Sequence, residues 1–125
     1  MYEPIIGPGR ALDPDHYFII IPNMFGNGES SSSSNTPEPY HGGRFPGINR
    51  PGITIYDNVI CQHRLLTEEF GIEHIALVTG WSMGAIQTFH WEAIYPHMVK
   101  RMLPYCGSAK VSSHNWVFAG PFLKT

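Results

Sequence analysis

Three apolar runs and two stretches of helical periodicity organise the chain. Tyr17-Phe18-Ile19-Ile20-Ile21 is continuous, rich in β-branched residues and ended by Pro22. Such a run predicts a strand covered on both faces, as in a parallel sheet. His74-Ile75-Ala76-Leu77-Val78-Thr79 is a second run of this kind. Arg101-Met102-Leu103-Pro104-Tyr105-Cys106 is a third and poorer one, weakened by its internal proline. Between the first two, Ile55, Val59, Leu66 and Phe70 recur at helical spacing with Leu65 beside them. Thr54 precedes them with Asp57 three residues on, a capping-box spacing, and Gly71 supplies a left-handed stop. Together these predict an amphipathic helix of about four turns. Residues 85–95 predict a second helix, poor in charge and stopped by Pro96. The order strand, helix, strand, helix, strand implies an α/β fold with about three parallel strands and crossover helices.

The remaining segments are loops. Residues 1–16 carry the turn signals Gly7-Pro8-Gly9 and Asp13-Pro14. Residues 23–53 are irregular, with scattered glycine and proline and serine at every position from 30 to 34. Taken alone, that serine run reads as a flexible linker. Inside a compact domain, however, a loop of this length is usually functional or disordered. No internal repeat is visible.

Composition narrows the class. A length of 125 residues implies one domain, residues 1–125. Charged residues are only 14% of the chain, which suggests a segment that is covered by something larger. A net charge of −2 offers no basic patch for nucleic acid. Cys61 and Cys106 fit neither a disulfide framework nor a zinc pattern, and are expected as small buried apolar residues in a reducing compartment. The N-terminus has no basic region followed by an apolar run, and no apolar stretch approaches the ~20 residues of a membrane span. The expectation is a cytoplasmic protein without a membrane partner.

Gly80-Trp81-Ser82-Met83-Gly84 fits the pattern G-x-S-x-G. Five residues match by chance often, but here the motif follows a predicted strand and opens a predicted helix, as a nucleophile elbow requires. The turn holds the serine in a strained conformation, and side chains two before and two after it are expected to collide with strand and helix. Ser82 is thus the candidate nucleophile, and the backbone N–H of Met83 a candidate oxyanion-hole donor beside the positive helix end. The plainer alternative is a serine in an ordinary strand-to-helix turn. A serine hydroxyl also needs a base. After Ser82 the chain has no aspartate, and its one carboxylate, Glu92, lies on the same helix and well away from the serine. His90 shares that helix, His97 follows its proline stop, and His114 is the one tempting base. No carboxylate follows His114 to orient it. His16, His41, His63 and His74 show no metal-ligand spacing, so no metal is expected.

These residues resemble the homoserine O-acetyltransferase family of the α/β-hydrolase superfamily. The resemblance runs from Ile6-Gly7-Pro8-Gly9-Arg10-Ala11-Leu12-Asp13 through residues 17–23 and the Gly/Ser-rich loop. It continues in Thr54-Ile55-Tyr56-Asp57-Asn58-Val59 with Gln62, and in Ser82-Met83-Gly84 with Gln87, Trp91 and Tyr95-Pro96. It implies acyl transfer from an acyl-CoA such as acetyl-CoA to an alcohol such as homoserine, through a Ser82 acyl-enzyme, in methionine biosynthesis. No permanently bound cofactor is implied; acyl-CoA is a co-substrate, the acceptor is a small molecule, and full-length members are candidate homodimers. Trp81 stands where the family's usual elbow has glycine, which opens an alternative: a hydrolase with water as acceptor. Full-length members are more than twice as long, with the second oxyanion donor upstream and the aspartate and histidine downstream. On that expectation this is a partial domain, inactive by itself. A non-catalytic binding module is the reading from a different class.

Overall fold

The computed structural model describes residues 4–40, 42–43 and 52–113. The chain divides into two compact units between residues 47 and 48. The second unit carries the regular structure: helix α1 (Ile55–Arg64), a π-helical turn (Leu65–Glu69), strand β1 (Val78–Trp81), helix α2 (Met83–Ile94) and strand β2 (Met102–Tyr105).

α1 starts as its sequence predicts. The Thr54 hydroxyl accepts from the Asp57 amide, and the Asp57 carboxylate accepts from the Thr54 amide at 2.8 Å, a closed capping box. Gly71, at φ 62°, ends the helical segment in the left-handed conformation that a side chain resists. β1 and β2 pair in parallel, Val78 opposite Met102 and Trp81 opposite Tyr105, with α2 between them in the chain. A bridge from Ile75 to Val99 continues the same register upstream, so the run at 74–79 supplies the start of the pairing. Pro104 is tolerated inside β2. The flanking bonds from Val78 and Ser82 go to the carbonyls of Arg101 and Tyr105, so the odd-numbered residues face β1 and the proline nitrogen points away.

α2 packs on both strands and α1 packs on α2. Among the described residues, Val59, Leu66, Ala85, Trp91, Met98 and Val99 are the buried apolar ones. Phe70 and Leu65, expected on the core face of α1, are exposed. A hydrogen-bonded chain crosses the interface of the two helices. Trp91 Nε1 donates to Gln62 Oε1 at 2.9 Å, and Gln62 Nε2 donates to Gln87 Oε1 at 2.7 Å. His63 stacks on Tyr95 at 3.9 Å beside them. Burial, with a lesser contribution from Tyr56, raises the Tyr95 hydroxyl above its ordinary value.

Two expectations are corrected. Residues 17–24 lie outside the described strands, so two parallel strands are present among the described residues rather than three. Continuous apolarity records a demand for cover on both faces and does not supply it. Tyr17, Phe18 and Ile21 remain exposed. Nor is the serine run a featureless linker. Asn27 Oδ1 accepts from the amides of Glu29 and Ser30, while Asn35 accepts from the Ser32 amide and donates to the carbonyls of Gly28 and Ser30. Asparagine side chains here add to the backbone turns of the segment, such as the Gly26 amide bonded to Ser31 O at 2.9 Å.

Candidate active site

The site forms where β1 ends. Ser82 occupies the N-cap of α2, a place where serine normally accepts from a first-turn amide. Its backbone forbids that here. At φ 53° and ψ −110° it is far from the extended cap conformation, and its side chain caps nothing. A non-glycine residue so placed stores roughly 1–3 kcal/mol of strain. Among the described residues nothing hydrogen-bonds the Ser82 hydroxyl, and the residue is exposed. Its amide donates to Tyr105 O at 3.1 Å, tying the turn to β2. Met83 is the first residue of α2, so its amide belongs to the first-turn N–H groups that have no carbonyl within the helix.

The two motif glycines are not equivalent. A Cβ at Gly80 would run into the backbone of Gly84, with the Gly84 Cα at 2.8 Å. A Cβ at Gly84 would meet nothing within 4 Å. The expectation that both exclude side chains for the same reason is therefore corrected. Gly80 is glycine because α2 begins against it, and Gly84 supplies the backbone it must clear. Gly84 O also accepts from the buried Thr88 hydroxyl at 2.9 Å.

Ser82 opens on a cavity of about 370 Å³ lined also by Ile86, Cys106, Gly107, Ser108 and Val111. Three of these follow β2 directly. Sequence reading did not place them at the site, although parallel pairing gathers the carboxyl ends of neighbouring strands at one edge, where open α/β sheets hold ligands. Trp81, 63% exposed, sets its ring edge-on to Tyr105 at 5.6 Å.

A model of the alpha/beta hydrolase fold family matches residues 4–123. The chain belongs to that family. An ethyl acetate hydrolase of Pseudomonas veronii is 50% identical over 94% of this chain and 32% of its own length. A homoserine O-acetyltransferase of Thermobifida fusca is 42% identical over 98% of this chain and 31% of its own. The solved structure of the acetyl esterase MekB superposes with a TM-score of 0.88 at 48% identity, covering 99% of this chain and 34% of that one. The chain thus spans about a third of the length of the curated relatives it matches. The resemblance to homoserine O-acetyltransferases holds, and esterases share it.

Gln62, Gln87 and Trp91, which carried part of the resemblance, are joined to one another across α1 and α2, so they hold architecture rather than substrate. His90 turns Nδ1 to Ile86 O at 3.0 Å within its helix, and His97 is exposed beyond it. Neither lines the Ser82 cavity. His114 lies outside the described residues. The cysteines are corrected: both are free and exposed, Cys61 on α1 and Cys106 in the turn that leaves β2. Among the described residues no cluster of His, Cys, Asp and Glu could hold a metal, and no helix is long and apolar enough to cross a membrane.

Proposed function

We propose that Ser82 is the nucleophile of an acyl-transfer enzyme that cleaves small esters, with water as the final acceptor. The observation behind this reading is the Ser82 backbone, which withholds the hydroxyl from its own helix and turns it to an open cavity. Ser82 Oγ attacks the ester carbonyl carbon as a base removes its proton. The Met83 amide and the positive end of α2 stabilise the resulting oxyanion; one such donor is typically worth roughly 3–4 kcal/mol of barrier. Collapse expels the alcohol, which takes up the proton and leaves an acyl-enzyme. Water then attacks that carbonyl, releasing the carboxylic acid and restoring the serine. The base and the carboxylate that orients it belong to residues outside the described set.

Two features favour water over an amino-acid acceptor. Identity to the ethyl acetate hydrolase exceeds that to the homoserine O-acetyltransferase, and Trp81 occupies the position before the nucleophile. Transfer from acetyl-CoA to homoserine is the second reading, supported by several relatives of that name at 37–42% identity. The two separate in one assay. Acetate release from p-nitrophenyl acetate, independent of homoserine and abolished in Ser82→Ala, supports hydrolysis. CoA release from acetyl-CoA only when homoserine is present supports transfer and defeats the first reading.

A further inference from the structure

We propose that Gly107 is a positioning residue for Ser82: the chain leaving β2 is the stop against which the first turn of α2 seats. The inference rests on the nucleophile reading above. Trp81 and Tyr105 are partners in the ladder, so Ser82 and Cys106 are the residues that follow at matching positions. Both take a left-handed backbone without being glycine, φ 53° and φ 55°, and among the described residues they are the two that do so. The neighbouring strands therefore leave the sheet through paired tight turns, and both turns line the same cavity.

Gly107 comes next, and its requirement is space rather than conformation, because its φ is not positive. A Cβ there would lie 2.5 Å from Ala85 Cβ and 2.8 Å from Ser82 O. Carbon atoms attract at about 3.5–4.0 Å and repel strongly at such separations. None of the atoms involved can rotate away. Ala85 is fully buried, and Ser82 O already accepts from the amides of Ala85 and Ile86 at 3.0 and 3.3 Å. Pushing that carbonyl moves the first turn of α2 and the serine together. The Ser82 amide is meanwhile held by Tyr105 O, two residues before Gly107. The elbow is gripped from β2 on both sides of its strained residue, by a hydrogen bond and by a steric stop.

A displacement of about 1 Å at a reacting group costs roughly 10²-fold in rate. The test uses the intact protein and a fluorophosphonate, whose attachment to Ser82 is followed by peptide mass. The same samples are assayed with p-nitrophenyl acetate. Gly107→Ala is expected to slow labelling by roughly 10²-fold and to lower kcat similarly, with KM within about twofold of the wild type. Ala85→Gly, added to Gly107→Ala, removes one of the two obstructing atoms and is expected to recover about tenfold; Ala85→Gly alone closes the cycle. Equal labelling of the wild type and folded Gly107→Ala overturns the inference alone, as does a double variant no faster than Gly107→Ala. Loss of folding in both overturns it too, marking Gly107 as a general packing requirement. An unlabelled Ser82 in the wild type overturns the nucleophile assignment and this inference with it.

Discussion

The two units hold their shape by different means. The described residues of the first unit form no named helix or strand, and beside the bridge from Ile6 to Leu12 they depend on polar side chains that bond nearby backbone. Asp13 is representative: its carboxylate accepts from the amides of Gly9 and Asp15 at 2.6 and 3.0 Å. Residues 52–113 depend on burial and fit, with Val59 and Thr88 wholly enclosed and Gly80 and Gly107 leaving no room for a side chain. Polar loop bonds are local and fail one at a time, whereas packed contacts are shared and fail together. That explains why the strained serine sits in the second unit. Strain of this kind persists only where the surroundings over-determine it.

Substitutions sharpen the contrast. Gly80→Ala forces a methyl group into the Gly84 backbone; we expect about 3 kcal/mol or more of destabilisation by urea unfolding and loss of Ser82 labelling. Gly84→Ala has open space and is expected to cost less than about 1 kcal/mol. Equal costs at the two glycines would refute the asymmetry. Trp91→Ala empties the space between α1 and α2 and takes the donor from Gln62 Oε1, and is expected to cost about 3–5 kcal/mol. Asn35→Ala removes bonds from the loop alone. We expect about 1 kcal/mol, with faster amide exchange confined to residues 28–32. A global rise in exchange would show the units to be less distinct than described.

The smallest effect is one of pH. The Asp15 amide first, and then that of Gly9, hold the Asp13 carboxyl below its ordinary 3.8, against the opposing effect of burial. A folded value below the unfolded one stabilises fully above the ordinary value and is lost as pH falls through the folded one. The Asp13 side-chain carboxyl resonance should therefore titrate with a midpoint below the ordinary 3.8. A midpoint at or above 3.8 would place the latch elsewhere.

Helices were legible because their signals are local. Thr54, Asp57 and Gly71 each act within a turn or two of their own position, and the structure bears them out. The elbow was legible as a pattern, since G-x-S-x-G lies between a strand run and a helix run. The run at 17–21 misled because apolarity shows what a segment can bury, not which neighbour it has. Cys106 misled for a related reason: small sulfur-bearing residues favour interiors, but this one falls in a turn that opens onto the cavity.

By itself the sequence determined the start and stop of the first helix, the α/β class and the serine set between a strand and a helix. The helix signals and the elbow pattern arise from interactions among residues a few positions apart, and the class follows from the order of the elements. The tertiary structure alone decided that Gly80 and Gly84 are glycine for different reasons, and that Gly107 bears on the first turn of α2. Gly80 meets Gly84 through the way the elbow folds α2 back on the end of β1, and Gly107 meets Ala85 and Ser82 through the parallel pairing of β1 and β2; neither separation is encoded in a one-dimensional pattern.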